Sequence, residues 1–341
     1  MERMIGKSEY KAMSMTAAVL GGGAWGTALA CVEASGFARV NLFTLETAAA
    51  EEITRFRRNS RYLDDAPVPW RVFATTSLEC ALAGVDCVIV AVPSHASREV
   101  ARRTLKLIGH QVPVILATKG MEHGTGLLSL EVWRREIAAL GGNHRSRHRD
   151  PLVLSGPNLA REIARGMPAV SCLAGTDAAR VRSAIELLER EGFTLVACGD
   201  PLGVQAAGAL KNVYAIGCGL GKALGWGDNV MAAMVWRGLE ETGRFAGALG
   251  GEPSTVTTPA GVGDFLATCT SPLSRNHDLG RALGGLRGQD EGVRGVREGA
   301  RTAGEALRRA RGLRVDMPLL EAVSSVLDGV RKPEAVLAAA C

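Results

Sequence analysis

A doubly wound, parallel α/β domain followed by an all-α domain is the architecture this sequence predicts, and three observations predict it. A glycine-rich turn, GGGAWG, separates a short apolar strand from a helix near the start of the chain. Short apolar strands then alternate with amphipathic helical stretches as far as residue 198, the pattern of a parallel sheet covered on both faces. Beyond Asp200-Pro201 the strands stop, and residues 202–341 carry long Ala/Leu/Arg/Glu-rich stretches. With 341 residues, 47% of them hydrophobic, the chain is long enough for two domains that each bury a core.

Residues 1–15 (MERMIGKSEYKAMSM) are Met-rich and polar and read as a mobile extension. They lack the apolar stretch and small-residue cleavage site of a signal peptide, so the cytoplasm is the expected location. Residues 16–36 read as strand, glycine turn and helix, and VNLFTL (40–45) as a second strand, which completes a βαβ unit. Further strands are expected at 85–92, 112–117, 151–155, 168–174 and 193–198. Residues 16–201 are thereby assigned to a Rossmann-type dinucleotide-binding domain and 202–341 to a helical substrate and catalytic domain.

No apolar run approaches the ~20 residues of a membrane span. The net charge of +5 suits an anionic substrate, whereas 4% aromatic content argues against nucleic acid. The densest basic cluster, HRSRHR (144–149), has no interleaved aromatics and reads as a solvated loop. Eight cysteines without a CxxC pair, mostly in apolar strings, read as reduced core thiols, with neither a disulfide framework nor a metal site implied.

Gly21, Gly23 and Gly26 form a G-x-G-x-x-G turn. The first permits the tight turn, the second lets backbone approach a pyrophosphate, and the third allows close helix-to-strand packing. The helix N-terminus that follows favours phosphate charge. About 20 positions on, Glu46 closes the second strand, where a carboxylate accepts the ribose hydroxyls of NAD and repels the 2′-phosphate of NADP. NAD is therefore the preferred cofactor, with NADP the alternative; Glu46 also fits the cap of a helix starting near Thr47.

Three polar clusters follow strand or turn signals. Lys119 ends the strand 112–117, where ligands of open parallel sheets bind. Gly156 and Asn158 lie on a turn after the strand 151–155, with Ala160 opening a helix. Lys211 and Asn212 sit in the apolar run GALKNVYAIG, in a chain with only six other lysines. An ammonium in such company must be paired, neutralised or used. Asp264 follows a Gly-Val-Gly turn, and Ser274, Arg275 and Asn276 supply donors suited to a phosphate monoester. Blander roles fit the same residues: Lys119 or Arg275 as surface charges, Gly156-Pro157 as an ordinary turn, Asp264 as a helix cap.

GGGAWGTALA, VPS (92–94), ATKGME, SGPNLAREI, LKNVYAIGCGLGKALGWGDN, RGLEE, GVGDFLATCTSPLSRN and VREG (296–299) occur in an order that resembles the NAD(P)-dependent glycerol-3-phosphate dehydrogenase family, from about residue 16 to 330. The resemblance implies interconversion of dihydroxyacetone phosphate and sn-glycerol 3-phosphate by a homodimer with its active site between the two domains. It implies that Lys211 is the general acid/base at the C2 oxygen, Lys119 a second cation, and Asp264 and Asn212 orienting groups. Like charge from the second lysine would depress the Lys211 pKa toward the working range. Gly156, Asn158, Thr268, Ser274, Arg275 and Asn276 resemble substrate contacts. Ala24, Trp25, Pro93, Lys119, Ala160, Arg275, Val296 and Glu298 resemble cofactor contacts.

The chain departs from the family at several points. Leu45 and Glu46 stand where bacterial members usually carry an arginine that favours NADPH, and the usual Asn-Pro-x-x-Tyr-Leu-Pro becomes NSRYLDD (59–65). Trp236 replaces a threonine before Arg237, and Thr258-Pro259 replaces a common Gly-Leu. A phosphonate or another short phosphorylated substrate is therefore an alternative. A ketopantoate-type dehydrogenase would not require GVGD and SRN together. A non-catalytic nucleotide-binding regulator would have no reason to keep Lys119, Lys211 and Asp264.

Overall fold

The computed structural model describes residues 14–64, 66–140, 150–285 and 298–341. Eight strands form one sheet: β1 (Thr16–Leu20), β2 (Arg39–Phe43), β3 (Val72–Thr75), β4 (Cys87–Val90), β5 (Val114–Leu116), β6 (Leu152–Ser155), β7 (Ala169–Ala174) and β8 (Phe193–Cys198). Their spatial order is β3-β2-β1-β4-β5-β6-β7-β8, so chain direction across the sheet reverses between β1 and β4. Ligands of such sheets bind beyond the strand carboxyl ends at this switch point.

The strands are short and apolar because both sheet faces are covered. Ala17 and Val19 pack with Leu29, Phe37 and Ile53 on one side. Ala18 and Leu20 pack with Leu78, Val90 and Trp133 on the other. Among the described residues no strand follows Cys198, and a third core of Tyr214, Phe245, Phe265 and Leu319 fills the helical domain. At the centre of that domain lies the helix Pro201–Ala223, started by Asp200, whose carboxylate accepts from the Gly203 N-H at 2.9 Å. Its neighbours are the helices Asp228–Ala248, Asp264–Thr270, Arg275–Leu283 and Glu298–Gly312, and it also meets β6. A helix apolar on all sides needs this complete enclosure. Among the described residues no helix is long and apolar enough to cross a membrane.

Several expectations are corrected. The sheet is mixed: β6 and β7 are antiparallel, with Leu154 opposite Leu173. Residues 156–168 between them contain only the five-residue helix Ala160–Ala164, and no crossover helix returns the chain to the starting edge. The edge strand β3 was not anticipated, being four residues long and preceded by Pro67 and Pro69. The second strand stops at Phe43, and Leu45 is 82% exposed. The strands expected at 85–92 and 112–117 are shorter, at Cys87–Val90 and Val114–Leu116. Met15 does not belong to a mobile extension: its carbonyl accepts from the Ala38 N-H at 3.0 Å and its side chain packs on the core. Residues 1–13 and the cluster 144–149 lie outside the described residues. All eight cysteines are free, but only Cys87, Cys172, Cys218 and Cys269 are buried; Cys80 and Cys341 are exposed.

Candidate active site

The glycine turn opens the nucleotide end of the site. Gly21 has φ 119°, and a Cβ there would lie 2.5 Å from the Ala91 carbonyl oxygen of the strand-end segment beside it. A Cβ on Gly26 would lie 1.8 Å from the Gly21 oxygen, so helix and strand touch backbone to backbone. A Cβ on Gly23 would meet nothing within 4 Å. That open side, next to the N-terminus of the helix Ala24–Glu33 with no side-chain cap, is a cradle for a pyrophosphate. The indole N-H of Trp25 is buried without a partner among the described residues. These features fit a dinucleotide.

At the ribose end, Glu46 occupies the cap position of the helix Thr47–Phe56, yet its side chain does not cap it. Its Oε2 accepts from Arg61 at 2.7 Å and its Oε1 from the Tyr62 hydroxyl at 2.5 Å. Nothing local in NSRYLDD marks Arg61 and Tyr62 as partners of Glu46, 15 and 16 residues earlier in the chain.

The catalytic end assembles from both domains. Lys119 follows β5 after Thr118, whose hydroxyl donates to the Val92 carbonyl at 3.0 Å. Its Nζ donates to Asp264 Oδ2 at 2.8 Å and to the Gly156 carbonyl at 3.1 Å. Lys211, from the central helix, donates to the other oxygen of Asp264 and to Thr268 Oγ1 at 2.8 Å. Thr268 in turn donates to the Asp264 carbonyl at 2.6 Å. One carboxylate, 1% exposed, thus bridges two ammonium groups. The three charges sum to +1, an environment that favours an anion.

Burial is the largest influence on Lys211 and lowers its pKa to about 7; Asp264 opposes it and Lys119 adds to it. Like charge from Lys119 lowers the pKa as expected, but it ranks below burial, which strips water from the ammonium. Asp264 is not a helix cap. Residues Pro259–Gly263 form a single π-helical turn in place of the expected Gly-Val-Gly loop, and this turn feeds the Asp264 side chain inward.

Around this cluster the other candidates take distinct places. Asn212 Oδ1 accepts from Asn276 Nδ2 at 3.0 Å, and Asn276 Oδ1 accepts from the Gly299 N-H at 3.1 Å, so Asn212 is tied to the first turns of the helices Arg275–Leu283 and Glu298–Gly312. Asn158 Oδ1 accepts from Ser171 at 2.7 Å, which leaves its buried Nδ2 without a partner among the described residues. The Ser274 hydroxyl caps the helix Arg275–Leu283 by accepting from the His277 N-H at 3.3 Å. Arg275 is exposed in the first turn and has no hydrogen bond or ion pair among the described residues. Glu298 accepts from Ser94, next to Pro93, across the domain boundary. Ala160 packs on the nucleotide-domain core beside the helix Ala24–Glu33. Val296 lies outside the described residues. Ser94 and Tyr62 meet Glu298 and Glu46 only through the fold, and the sequence around them has no signal of these contacts.

A glycine turn at a sheet switch point, in one chain with a buried lysine whose pKa burial lowers to about 7, points to a nicotinamide-dinucleotide oxidoreductase. Family models agree: residues 16–181 match the N-terminus of NAD-dependent glycerol-3-phosphate dehydrogenase and residues 200–338 its C-terminus. The chain is 37% identical over 317 residues to "Glycerol-3-phosphate dehydrogenase [NAD(P)+]" of Brucella canis, covering 93% of this chain and 94% of that one. It is 39% identical over 320 residues to the protein so named in Alkalilimnicola ehrlichii, at 93% and 94% coverage. A crystal structure of glycerol-3-phosphate dehydrogenase from Coxiella burnetii superposes with a TM-score of 0.87 at 32% identity, covering 96% of this chain and 98% of that one. The chain belongs to the NAD-dependent glycerol-3-phosphate dehydrogenase family.

Proposed function

We propose that this protein interconverts dihydroxyacetone phosphate and sn-glycerol 3-phosphate with NAD(H) as the preferred dinucleotide. Residues 16–201 bind the dinucleotide, and residues 202–341 supply most of the catalytic side chains. The observation that carries the reading is the Lys211–Asp264–Lys119 bridge, in which one carboxylate aims two ammonium groups from two domains at one cleft. A bound nicotinamide supplies or accepts the hydride at C2. Lys211 gives its proton to the C2 oxygen during reduction and takes it back during oxidation, which a pKa of about 7 allows in both directions. Lys119 and Lys211 stabilise the negative charge that develops on that oxygen, and Asp264 keeps them aimed. Asn158 offers its unpartnered amide N-H to a substrate oxygen. Arg275 and Asn276 receive the phosphate, for which a guanidinium fork beside an amide is well matched. The family likeness extends the reading to a cytoplasmic homodimer, checked by analytical ultracentrifugation.

The test is NADH oxidation with dihydroxyacetone phosphate against a panel of phosphonate and carboxylate ketones. Highest kcat/KM on dihydroxyacetone phosphate is expected. A phosphonate that exceeds it overturns the substrate assignment, and a carboxylate that exceeds it favours the ketopantoate-type chemistry.

A further inference from the structure

Glu46 on its own would exclude NADP, because its charge would repel a 2′-phosphate at the ribose. In the fold it is not on its own. Both carboxylate oxygens are engaged, Oε2 by Arg61 at 2.7 Å and Oε1 by Tyr62 at 2.5 Å. The segment that carries these partners is tied to the dinucleotide turn itself. Fully buried Asn59 donates through Nδ2 to the Gly22 carbonyl at 3.0 Å and to Thr27 Oγ1 at 2.8 Å. Tyr62 packs on the same core cluster as Ala24 and Trp25. Its phenol is pushed up by burial and then by Glu46, with Arg61 and Arg275 opposing, so it remains a donor at neutral pH.

Arg61 differs from its neighbours in freedom. Its side chain is 60% exposed, and among the described residues only Nη1 has a hydrogen-bond partner. Its guanidinium carbon lies 5.5 Å over the Tyr62 ring, and a guanidinium fork matches phosphate oxygens. Glu46 and Arg61 together carry no net charge, so the subsite does not repel a phosphate as a bare carboxylate would.

We infer that Arg61 is a specificity-determining residue: it holds Glu46 in place for the ribose hydroxyls of NAD and turns to grip the 2′-phosphate of NADP, admitting both dinucleotides. The inference rests on the dinucleotide reading of the site and not on the identity of the ketone.

Isothermal titration of the full chain with NADH and with NADPH, in the absence of any ketone, tests it. Arg61→Ala is expected to weaken NADPH binding roughly tenfold more than NADH binding, the size of one partly screened charge-assisted contact. Glu46→Gln frees Arg61 and tightens NADPH, and the double variant loses that gain. Thermal melts confirm that each variant folds. Equal weakening of the two dinucleotides by Arg61→Ala, or a Glu46→Gln gain that survives removal of Arg61, overturns the role. Failure of the wild type to bind either dinucleotide sinks the cofactor reading itself, and a wrong ketone leaves every titration interpretable.

Discussion

Two charge clusters in this molecule pair cations with carboxylates to opposite ends. In the cleft, Lys119 and Lys211 share one carboxylate, Asp264, and with Lys211 protonated the cluster has one positive charge in excess. Between the helices Ser97–Leu107 and Ser129–Ala139, Arg98 bridges Glu122 and Glu136, and Arg102 also binds Glu136, so two cations meet two anions. The hydrogen bonds that Arg98 donates to Glu122 lead the influences that raise it above its usual value. Burial, the largest influence on Glu122, works against its charge, yet bonds from Arg98 and Thr125 hold that carboxyl below its usual value. These bonds favour the charged forms of both Arg98 and Glu122. The cleft cluster contains a lysine that gives up its proton near pH 7. Arginine in bidentate pairs serves as a structural strap, whereas a desolvated lysine short of counter-charge serves as a proton carrier.

The largest blow to this contrast is Lys211→Ala. Turnover should fall about 100- to 10,000-fold, the usual worth of a general acid, while NADH still binds. Unchanged turnover in stopped-flow assays would falsify the role of Lys211. Asp264→Asn comes next: two ammonium groups lose their shared partner, and the loss of stability should be on the order of 3–5 kcal/mol, read from denaturant unfolding alongside a fall in kcat. Arg98→Ala, outside the cleft, should destabilise by about 1–3 kcal/mol and leave kcat/KM nearly intact below the melting transition. If it instead abolishes activity in a folded protein, the two clusters are not separable.

pH sharpens the comparison further. The folded pKa of Lys211, about 7, lies below its ordinary 10.5. The unfolded chain therefore binds more protons between these values, and this residue's contribution makes stability rise with pH across that window. Ketone reduction needs the ammonium and should decline as pH passes about 7, while alcohol oxidation should increase there. Lys211→Met should remove the stability slope; a slope that persists belongs to another group. The smallest effect is expected from Leu45→Arg with Glu46→Ser, a shift of several-fold toward NADPH in relative kcat/KM. A wild type already faster with NADPH would contradict the assignment of Glu46.

Much of the fold was legible because its causes are local. β1, its glycine turn and the following helix are written in one contiguous stretch, where sterics permit only glycine at the close approaches. β8 occupies the expected residues 193–198. β3 was not legible, since Val-Phe-Ala-Thr between polar neighbours has no stronger strand signal than many loops. The antiparallel turn of β7 was hidden as well, because an apolar run carries no information about direction.

The site divides in the same way. By itself the sequence determined that Lys211 had to be unusual, since a lone ammonium in an apolar run is costly wherever that run is packed. It also pointed to Gly21–Gly26 as a tight strand-to-helix turn and to an acidic residue, Glu46, just past the second strand. Only the tertiary structure decided that Asp264 serves both lysines, one 53 and the other 145 residues distant in the chain. It likewise decided that Arg61 and Tyr62 hold Glu46, that Ser274 caps a helix, and that burial more than like charge lowers the Lys211 pKa. Local sterics and periodicity act between chain neighbours and leave a pattern there. Charge pairing and desolvation act through space, and their outcome depends on which surfaces the packed domains bring together.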